Sequence, residues 1–434
     1  MVLFEPAVTV ASMGPSEEQV VVERVAVTPL SVGRRSPTSL IFFPFAPTSM
    51  YECCPYEVIE IESSEALRRH LDREGSLRNV VVQGIDLAGS DVEAALTTVP
   101  AEDACFLGCQ LSDAAEQHVR ETGGTIFPDF VGVPFRPYRA SLYSPDELME
   151  GYERGQPDTR NQTVDARIYR YFKDRKRDGR DVPIMDALAF RIHDHAIDNA
   201  LRDLLSPDDG PDRQVVGIMG GHQLARDTDL YRRVARVARR LTRAGLFVAT
   251  GGGPGAMEAA NLGAALAPHA PAALNDAVDT LAAAPHYTDD AYLDRALDVC
   301  ERYPDRAESL AVPTWFYGHE PSNLFSTHVA KYFANSIRED GLLAIATYGV
   351  VYAPGSAGTI QEVFMDAAQN HYETFGPASP MVFLDRTYWT ETKPVYPLME
   401  TLATDTPFED CLTATDDVEA TVSFIEDHAA TREA

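Results

Sequence analysis

The sequence predicts an α/β protein whose main body is a doubly wound parallel sheet, preceded by a smaller α/β domain and a helical connector. Three observations carry this expectation. Short apolar, β-branched runs alternate with segments of helical periodicity. The succession strand, glycine-rich loop, helix occurs three times after residue 211. A cluster of Pro, Gly and Asp at Ser206–Asp212 punctuates the chain just before that region. The expected divisions are 1–140 for the accessory domain, 141–210 for the connector and 211–434 for the main domain.

Composition narrows the functional classes. The chain has 434 residues, 45% of them hydrophobic, enough for two packed domains. No apolar run is long enough to span a bilayer, and Met1–Pro6 lacks the basic start of a secretion signal, so a cytoplasmic protein without a membrane partner is expected. The net charge of −29 argues against a nucleic-acid surface. It leaves room for a small phosphorylated ligand, which a local cradle of backbone amides can hold. The cysteines, Cys53, Cys54, Cys105, Cys109, Cys300 and Cys411, follow neither a zinc nor a disulfide spacing. The adjacent Cys53–Cys54 are expected as reduced thiols, and no metal or cofactor is expected.

In chain order, Tyr56–Ile61 reads as a strand, Ser64–Glu74 as a helix and Asn79–Ile85 as a strand. Asp91–Thr98 reads as a helix, Cys105–Cys109 as a strand, Asp113–Thr122 as a helix and Thr125–Phe127 as a strand. This is βαβ alternation without a phosphate loop. From Tyr143 to Leu205 the pattern is helical and charged, with Arg167, Arg170, Lys173, Arg175, Lys176 and Arg177 in one stretch. Such a run is a solvated face by default and a contribution to a neighbouring subunit's site at second choice.

Val215–Met219 is a buried-strand run that meets Gly220-Gly221-His222. Leu230, Val234, Val237, Ala238 and Leu241 then recur on one helical face, with Asp227 or Thr228 as cap and Gly245 as terminator. Leu246–Thr250 is the next strand and runs into Gly251–Gly255 and a helix over Ala256–Leu266. Pro268–Arg306 reads as an irregular, partly helical insertion, Leu310–Tyr317 as a strand and Val329–Ile337 as a helix. Gly349–Ala353 is a short strand meeting the third loop, Pro354–Thr359. A helix (Thr359–His371), a strand (Met381–Leu384) and helices over Pro397–Leu402 and Asp417–His428 complete the pattern.

The loops suit an anion. In an open parallel sheet they lie at the carboxyl ends of the strands, where ligands bind. Small residues let backbone amides approach a phosphate, and the following helix offers unpaired N–H groups and a positive dipole end. Glu362 follows Thr359 by three residues. It either reaches back as a capping-box residue or stands beside a bound sugar phosphate, where the dipole favours its ionised form.

Pro354-Gly355-Ser356-Ala357-Gly358-Thr359-Ile360-Gln361-Glu362 resembles the signature PGGxGTxxE of the LONELY GUY (LOG) family, whose domain is Rossmann-like. Gly251–Ala259, with its glycine triplet followed by Gly255-Ala256-Met257, is similar to the family's second loop. Glu320-Pro321-Ser322-Asn323, with Arg338 downstream, resembles the segment that supplies a catalytic arginine in the longer bacterial nucleotide nucleosidases, and Asp416–Ala420 resembles the family's tail. The likeness covers the second half of the chain. It implies hydrolysis of the N-glycosidic bond of a nucleoside 5′-monophosphate, with Glu362 and Arg338 catalytic. It implies a nucleotide site built from Gly220, Gly221, Gly252, Gly253, Gly255, Met257, Asn323, Gly355, Ser356, Ala357, Gly358 and Thr359, and a homodimer or larger homo-oligomer. Ser356 replaces a signature glycine, which is tolerated where the backbone angles are ordinary.

Three rival functions stand beside this one. A non-catalytic nucleotide sensor or carrier would use the same fold. A pyridoxal-dependent lysine decarboxylase needs a Schiff-base lysine, and none of Lys173, Lys176, Lys331 and Lys393 adjoins a glycine loop in the sequence. A nicotinamide enzyme would need the G-x-G-x-x-G form, which Gly217–Gly221 lacks. Among the histidines, His222 follows the first glycine pair and is read equally as facing a ligand or as a satisfied structural histidine, and His328 reads as a surface helix residue.

Overall fold

The computed structural model describes residues 58–176, 182–207, 210–318, 320–321 and 323–433. The chain start, the Cys53–Cys54 pair, Tyr56, Arg177, His319 and Ser322 lie outside these residues.

The first elements are β1 (Ile59–Ile61), α1 (Ser64–Glu74), β2 (Val80–Gln83), α2 (Asp91–Leu96), β3 (Cys105–Leu107), α3 (Asp113–Glu121) and β4 (Thr125–Phe127). The strands form a four-stranded parallel sheet in sequence order. Each helix opens on a serine cap: Ser63, Ser90 and Ser112 accept from the backbone amide three residues on. This unit has its own apolar core, including Leu67, Val82, Phe106 and Val119.

The helices α4 (Pro145–Met149), α5 (Val164–Arg175) and α6 (Ile184–Leu205) follow. Leu148, Ile168, Phe172, Phe190 and Ile197 from this segment share one buried cluster with Met219, Phe247 and Leu310 of the second sheet.

The second sheet is built from β5 (Val215–Met219), α7 (Asp229–Arg243), β6 (Phe247–Thr250), α8 (Ala256–Ala265), α9 (Pro271–Leu281), α10 (Tyr292–Arg302), β7 (Leu310–Ala311), β8 (His328–Val329), α11 (Asn335–Ile345), β9 (Val350–Tyr352), α12 (Ala357–Tyr372), β10 (Met381–Leu384), α13 (Tyr396–Ala403), β11 (Leu412–Thr415) and α14 (Val418–Glu433). Its seven strands are all parallel, in the order β11-β10-β9-β5-β6-β7-β8. The predicted α/β class and doubly wound parallel sheet are therefore what the chain forms. Thr228, not Asp227, caps α7, its hydroxyl accepting from Tyr231 N–H.

Four expectations need correction. Val329–Ile337 is not a helix: Ala330 and Tyr332 N–H donate to Ala311 and Pro313 carbonyls, so the segment continues the ladder of β8 and helix begins only at Asn335. Sheet pairing wins because alternate side chains there find burial on both faces. Leu310–Tyr317 keeps only two residues of regular strand, and the pairing resumes as a bridge between Thr314 and Tyr332. Pro268–Arg306 holds two regular helices whose apolar faces, including Leu274, Val278, Leu293 and Val299, enter a second core. The edge strand β11 was not expected; its half-buried, threonine-rich sequence carries little periodic signal.

Candidate functional site

Strand β5 lies between β6 and β9, and the chain leaves it in opposite directions before and after β8. This makes the β5/β9 boundary a topological switch point, where the following loops splay and leave a crevice. Gly220-Gly221-His222 follows β5 and Pro354-Gly355-Ser356 follows β9. The two loops are tied by Gly221 N–H donating to Pro354 O at 3.0 Å. Gly255, at φ +72°, interlocks with them: a Cβ there would lie 2.4 Å from Gly221 O. The result is a cavity of about 460 Å³ along the carboxyl edge of the sheet.

One end of the cavity is the start of α12. Ser356 has φ −110° and ψ −145°, so a serine is unstrained at this signature position. No side chain caps the helix. The N–H groups of Ala357, Gly358 and Thr359 have no intrahelical acceptor by position and carry the positive end of the dipole. Residues 356–358 are exposed, facing open space. Gly355 does not line the cavity. A Cβ there would meet Thr359 Oγ1 at 2.1 Å, and its carbonyl accepts from the Tyr388 hydroxyl and from Lys393 Nζ at 3.0 Å. Lys393 thus adjoins a glycine loop in space though not in sequence.

The middle of the cavity holds Glu362 and Arg338. Arg338 is fixed by donation from Nε to Val312 O at 2.8 Å and from Nη2 to Gly251 O at 3.4 Å. Its Nη1 lies 3.4 Å from Glu362 Oε1. It pairs with Glu362 in place of its sequence neighbours; Glu339 instead accepts from Gln361 and the Tyr317 hydroxyl. Helix α12 starts at Ala357, so Glu362 sits in its second turn, not its first, and it forms no capping box. The expectation that the dipole keeps it readily ionised is also corrected. Burial raises its pKa above the usual 4.5 and the neighbouring Glu339 adds to the rise, while Arg338 opposes it. Desolvation outweighs the dipole because the carboxylate is almost wholly enclosed.

The second loop is held from beneath. Thr250 Oγ1 accepts from Gly252 N–H at 3.1 Å and donates to Asn261 Oδ1 at 2.7 Å. Asn261 Nδ2 donates to Ser309 Oγ at 2.9 Å, and Asn323 Nδ2 donates to Asn261 Oδ1 at 2.8 Å. Asn323 Oδ1 accepts from Phe325 N–H at 3.0 Å. Asn323 therefore borders the cavity with its amide already engaged, and its role is to position the Gly251–Gly253 loop. Gly252, at φ +74°, lies so close to Pro313 that a Cβ would approach its ring to 2.8 Å.

Of the residues expected at the site, the structure gathers Gly220, Gly221, Gly252, Gly253, Met257, Asn323, Arg338, Ser356, Ala357, Gly358, Thr359 and Glu362 around one cavity. Gly255 and Gly355 stand behind it as packing positions. His222 lines it, with Nδ1 3.9 Å from Glu320 Oε1. Glu258 is fully engaged elsewhere: Arg226 Nε donates to it at 2.8 Å and Tyr231 Oη at 2.9 Å in a buried cluster. His328 lies on a strand, 3.0 Å from Glu308.

Sequence reasoning missed Lys331, which lines the cavity although no glycine adjoins it. Misreading its strand as a helix concealed the alternation that puts Val329 and Lys331 on one face. Its ammonium is 2.7 Å from Asp165 Oδ1, so the two form a buried ion pair. The basic helix α5 also reaches this region within the same chain: Lys173 Nζ donates to Phe316 O at 3.4 Å, and Lys176 Nζ lies 4.4 Å from the Phe316 ring.

Among the described residues no helix is long and apolar enough to cross a membrane, and no group of three or more His, Cys, Asp or Glu side chains is arranged to hold a metal ion. No protein-family profile matches the chain, and no curated protein matches it by sequence. Solved structures similar to it include a molybdenum cofactor binding protein from the phototrophic bacterium Rippkaea orientalis, 14% identical, covering 51% of this chain and 99% of that one with a TM-score of 0.33. A molybdenum cofactor carrier protein from Chlamydomonas reinhardtii is 13% identical, covering 50% and 99%, with a TM-score of 0.32.

Proposed function

We propose that the chain hydrolyses the N-glycosidic bond of a nucleoside 5′-monophosphate, releasing free base and ribose 5-phosphate, as its resemblance to the LOG family implies. The observation that carries this reading is the single cavity that joins an uncapped helix start to the Arg338–Glu362 pair. The amides of Ala357, Gly358 and Thr359 take the phosphate. Glu362 then faces the ribose. In the reaction the C1′–N bond breaks, its electron pair passes to the base, and water oxygen bonds to C1′. Ionised Glu362 stabilises the oxocarbenium-like sugar, accepts the water's proton and passes it on to the departing base, which leaves neutral. A carboxylate whose pKa is raised by burial is a stronger base than an ordinary one and is better suited to take that proton. Arg338 orients it through a rigid fork held by two carbonyls.

Incubation with a panel of nucleoside monophosphates, following free base and ribose 5-phosphate, tests this directly. Binding without base release would identify the chain as a nucleotide carrier or sensor. The same resemblance implies a homodimer or larger homo-oligomer, which light scattering on the full chain measures.

A further inference from the structure

The cavity extends past Glu362 to an end that the proposed hydrolysis does not yet use. Strand order fixes its direction: α12 starts beside β9, Gly251–Gly253 follows β6, and the far end lies over β7 and β8. Ala311 and Pro313 line it from one strand, and Val329 and Lys331 from the next, alternate residues that share a face. Leu148 of α4 closes it, placed there by the mutual backbone hydrogen bonds between Tyr143 and Val329, at 3.1 and 2.8 Å. Ala311, Pro313, Val329 and Leu148 give this end apolar walls with Lys331 set among them; Thr314, Tyr317 and Glu320 also line the cavity.

The Lys331 side chain is buried, and so is its partner Asp165 of α5. The Trp315 indole N–H donates to the same carboxylate oxygen at 2.7 Å. A buried ion pair is seldom worth more to stability than apolar side chains of the same volume. Its position on a cavity wall therefore points to a ligand. An ammonium has three donors and no acceptor, and one carboxylate oxygen takes one of them. A ligand group that enters this end meets apolar walls and the remaining ammonium donors, so it is matched by an apolar body edged with acceptors.

We infer that this end is the base subsite, and that Lys331 selects nucleotides whose base presents a carbonyl oxygen there: 6-oxopurines over adenine, and uracil over cytosine. The inference rests on the proposed nucleosidase reading. With a phosphate at α12 and the glycosidic bond at Glu362, the base lies over β7 and β8. Hypoxanthine offers O6 and N7 on one edge, both acceptors. Adenine offers N7 and an amino donor that opposes the ammonium. As the C1′–N bond breaks, its electron pair moves onto the base and the Lys331 donation strengthens. The water's proton ends on the base, and Lys331 keeps its own. Part of the Lys331 effect therefore falls on kcat, not only on KM. Asp165 is a positioning residue that holds the ammonium in place.

The test uses the full chain with IMP, AMP, UMP and CMP. Wild type should favour IMP over AMP, and UMP over CMP, by about ten- to a hundredfold in kcat/KM, the range of one hydrogen bond to a charged group. Lys331→Met should lower kcat with IMP and bring both ratios near unity while changing AMP little. Asp165→Asn should weaken the preference less. If no nucleotide releases base, the hydrolase reading fails, and the subsite is judged by dissociation constants, which should show the same preference and its loss in Lys331→Met. Wild-type protein that takes AMP as well as IMP overturns the subsite without any variant. So does a folded Lys331→Met protein with the wild-type preference.

Discussion

Arg338 and Glu362, carried by separate helices, face each other at 3.4 Å, and the arginine is anchored to the Val312 and Gly251 carbonyls. The pair is therefore preformed rather than assembled by a ligand. Because Glu362 makes no capping contact, Glu362→Gln should melt like wild type and still bind nucleotide. Its turnover should fall by a factor of about 100 or more, the size expected when a positioned acid–base group is lost. Base release and calorimetry on the same preparation check both halves. Loss of binding and stability together would mean that Glu362 is structural.

The pH profile should carry the mark of burial. In the proposed reaction Glu362 acts in its ionised form, and its carboxyl is pushed up from 4.5 by desolvation and by Glu339. Activity should rise with pH through that elevated value, so the acid limb of kcat/KM lies above the ordinary carboxylate range. Arg338 opposes the rise, so Arg338→Met should move the limb further upward while lowering the maximum. A limb at the ordinary position in both proteins would assign the proton to another group.

Phosphate recognition has a sterically quiet test. Among the described residues nothing lies within 4 Å of a Cβ added at Gly358. Gly358→Asp should fold normally yet place a carboxylate where the amides await an anion. Affinity for AMP should drop by a factor of about 100 or more, since several charge-assisted hydrogen bonds are opposed at once. Adenosine binding should hardly change. Equal losses for both ligands would move the phosphate elsewhere.

Two loop positions should respond in opposite ways. Ser356→Gly should leave activity within about threefold of wild type, because its backbone angles already suit a side chain. Gly252→Ala forces a left-handed backbone on alanine and a Cβ against Pro313. It should cost about 1–3 kcal/mol of stability and disturb the Gly251–Gly253 loop that lines the cavity. Thermal melts with paired activity assays distinguish the two.

Asp366, one turn beyond Glu362, is fully buried, and its carboxyl is pushed up to about 7 by desolvation although the Tyr352 hydroxyl donates to it at 2.7 Å. A native pKa above the unfolded 3.8 means the folded state holds a proton the unfolded state has released. This contribution is complete below 3.8 and is lost as pH rises through about 7. A shift of this size corresponds to about 4 kcal/mol at most. Asp366→Asn should flatten the decline of stability over that window, read from urea midpoints at several pH values. An unchanged slope would show that Asp366 is not the titrating group.

The glycine loops and their neighbouring strands were legible because their signal is local. A strand run, small residues and a helix start are all contiguous in Val350–Tyr372. The partners of those loops were not. Lys331 reaches the cavity through strand pairing and Lys393 reaches the Gly355 carbonyl behind it from a distant turn, and neither leaves a trace in sequence spacing. Glu258, in the first turn of the helix after the second glycine loop, is taken up by Arg226, a residue 32 positions away. The direction of the Glu362 pKa was misjudged for the same reason: the dipole is visible in the helix pattern, whereas burial depends on what packs above it.

The pairing of Gly217 with Val350 at the centre of the sheet joins segments far apart in the chain. A nascent chain can close β5 onto β6 once Thr250 is available, since the two parallel strands are joined by one crossover through α7. The β5–β9 seam must wait for a further stretch that includes four helices and two strands. Closing so long a loop is entropically costly and kinetically slow. A nucleotide added during refolding therefore has nothing to grip until this last central strand arrives, so it should leave the early folding rate unchanged and act only by trapping the finished sheet.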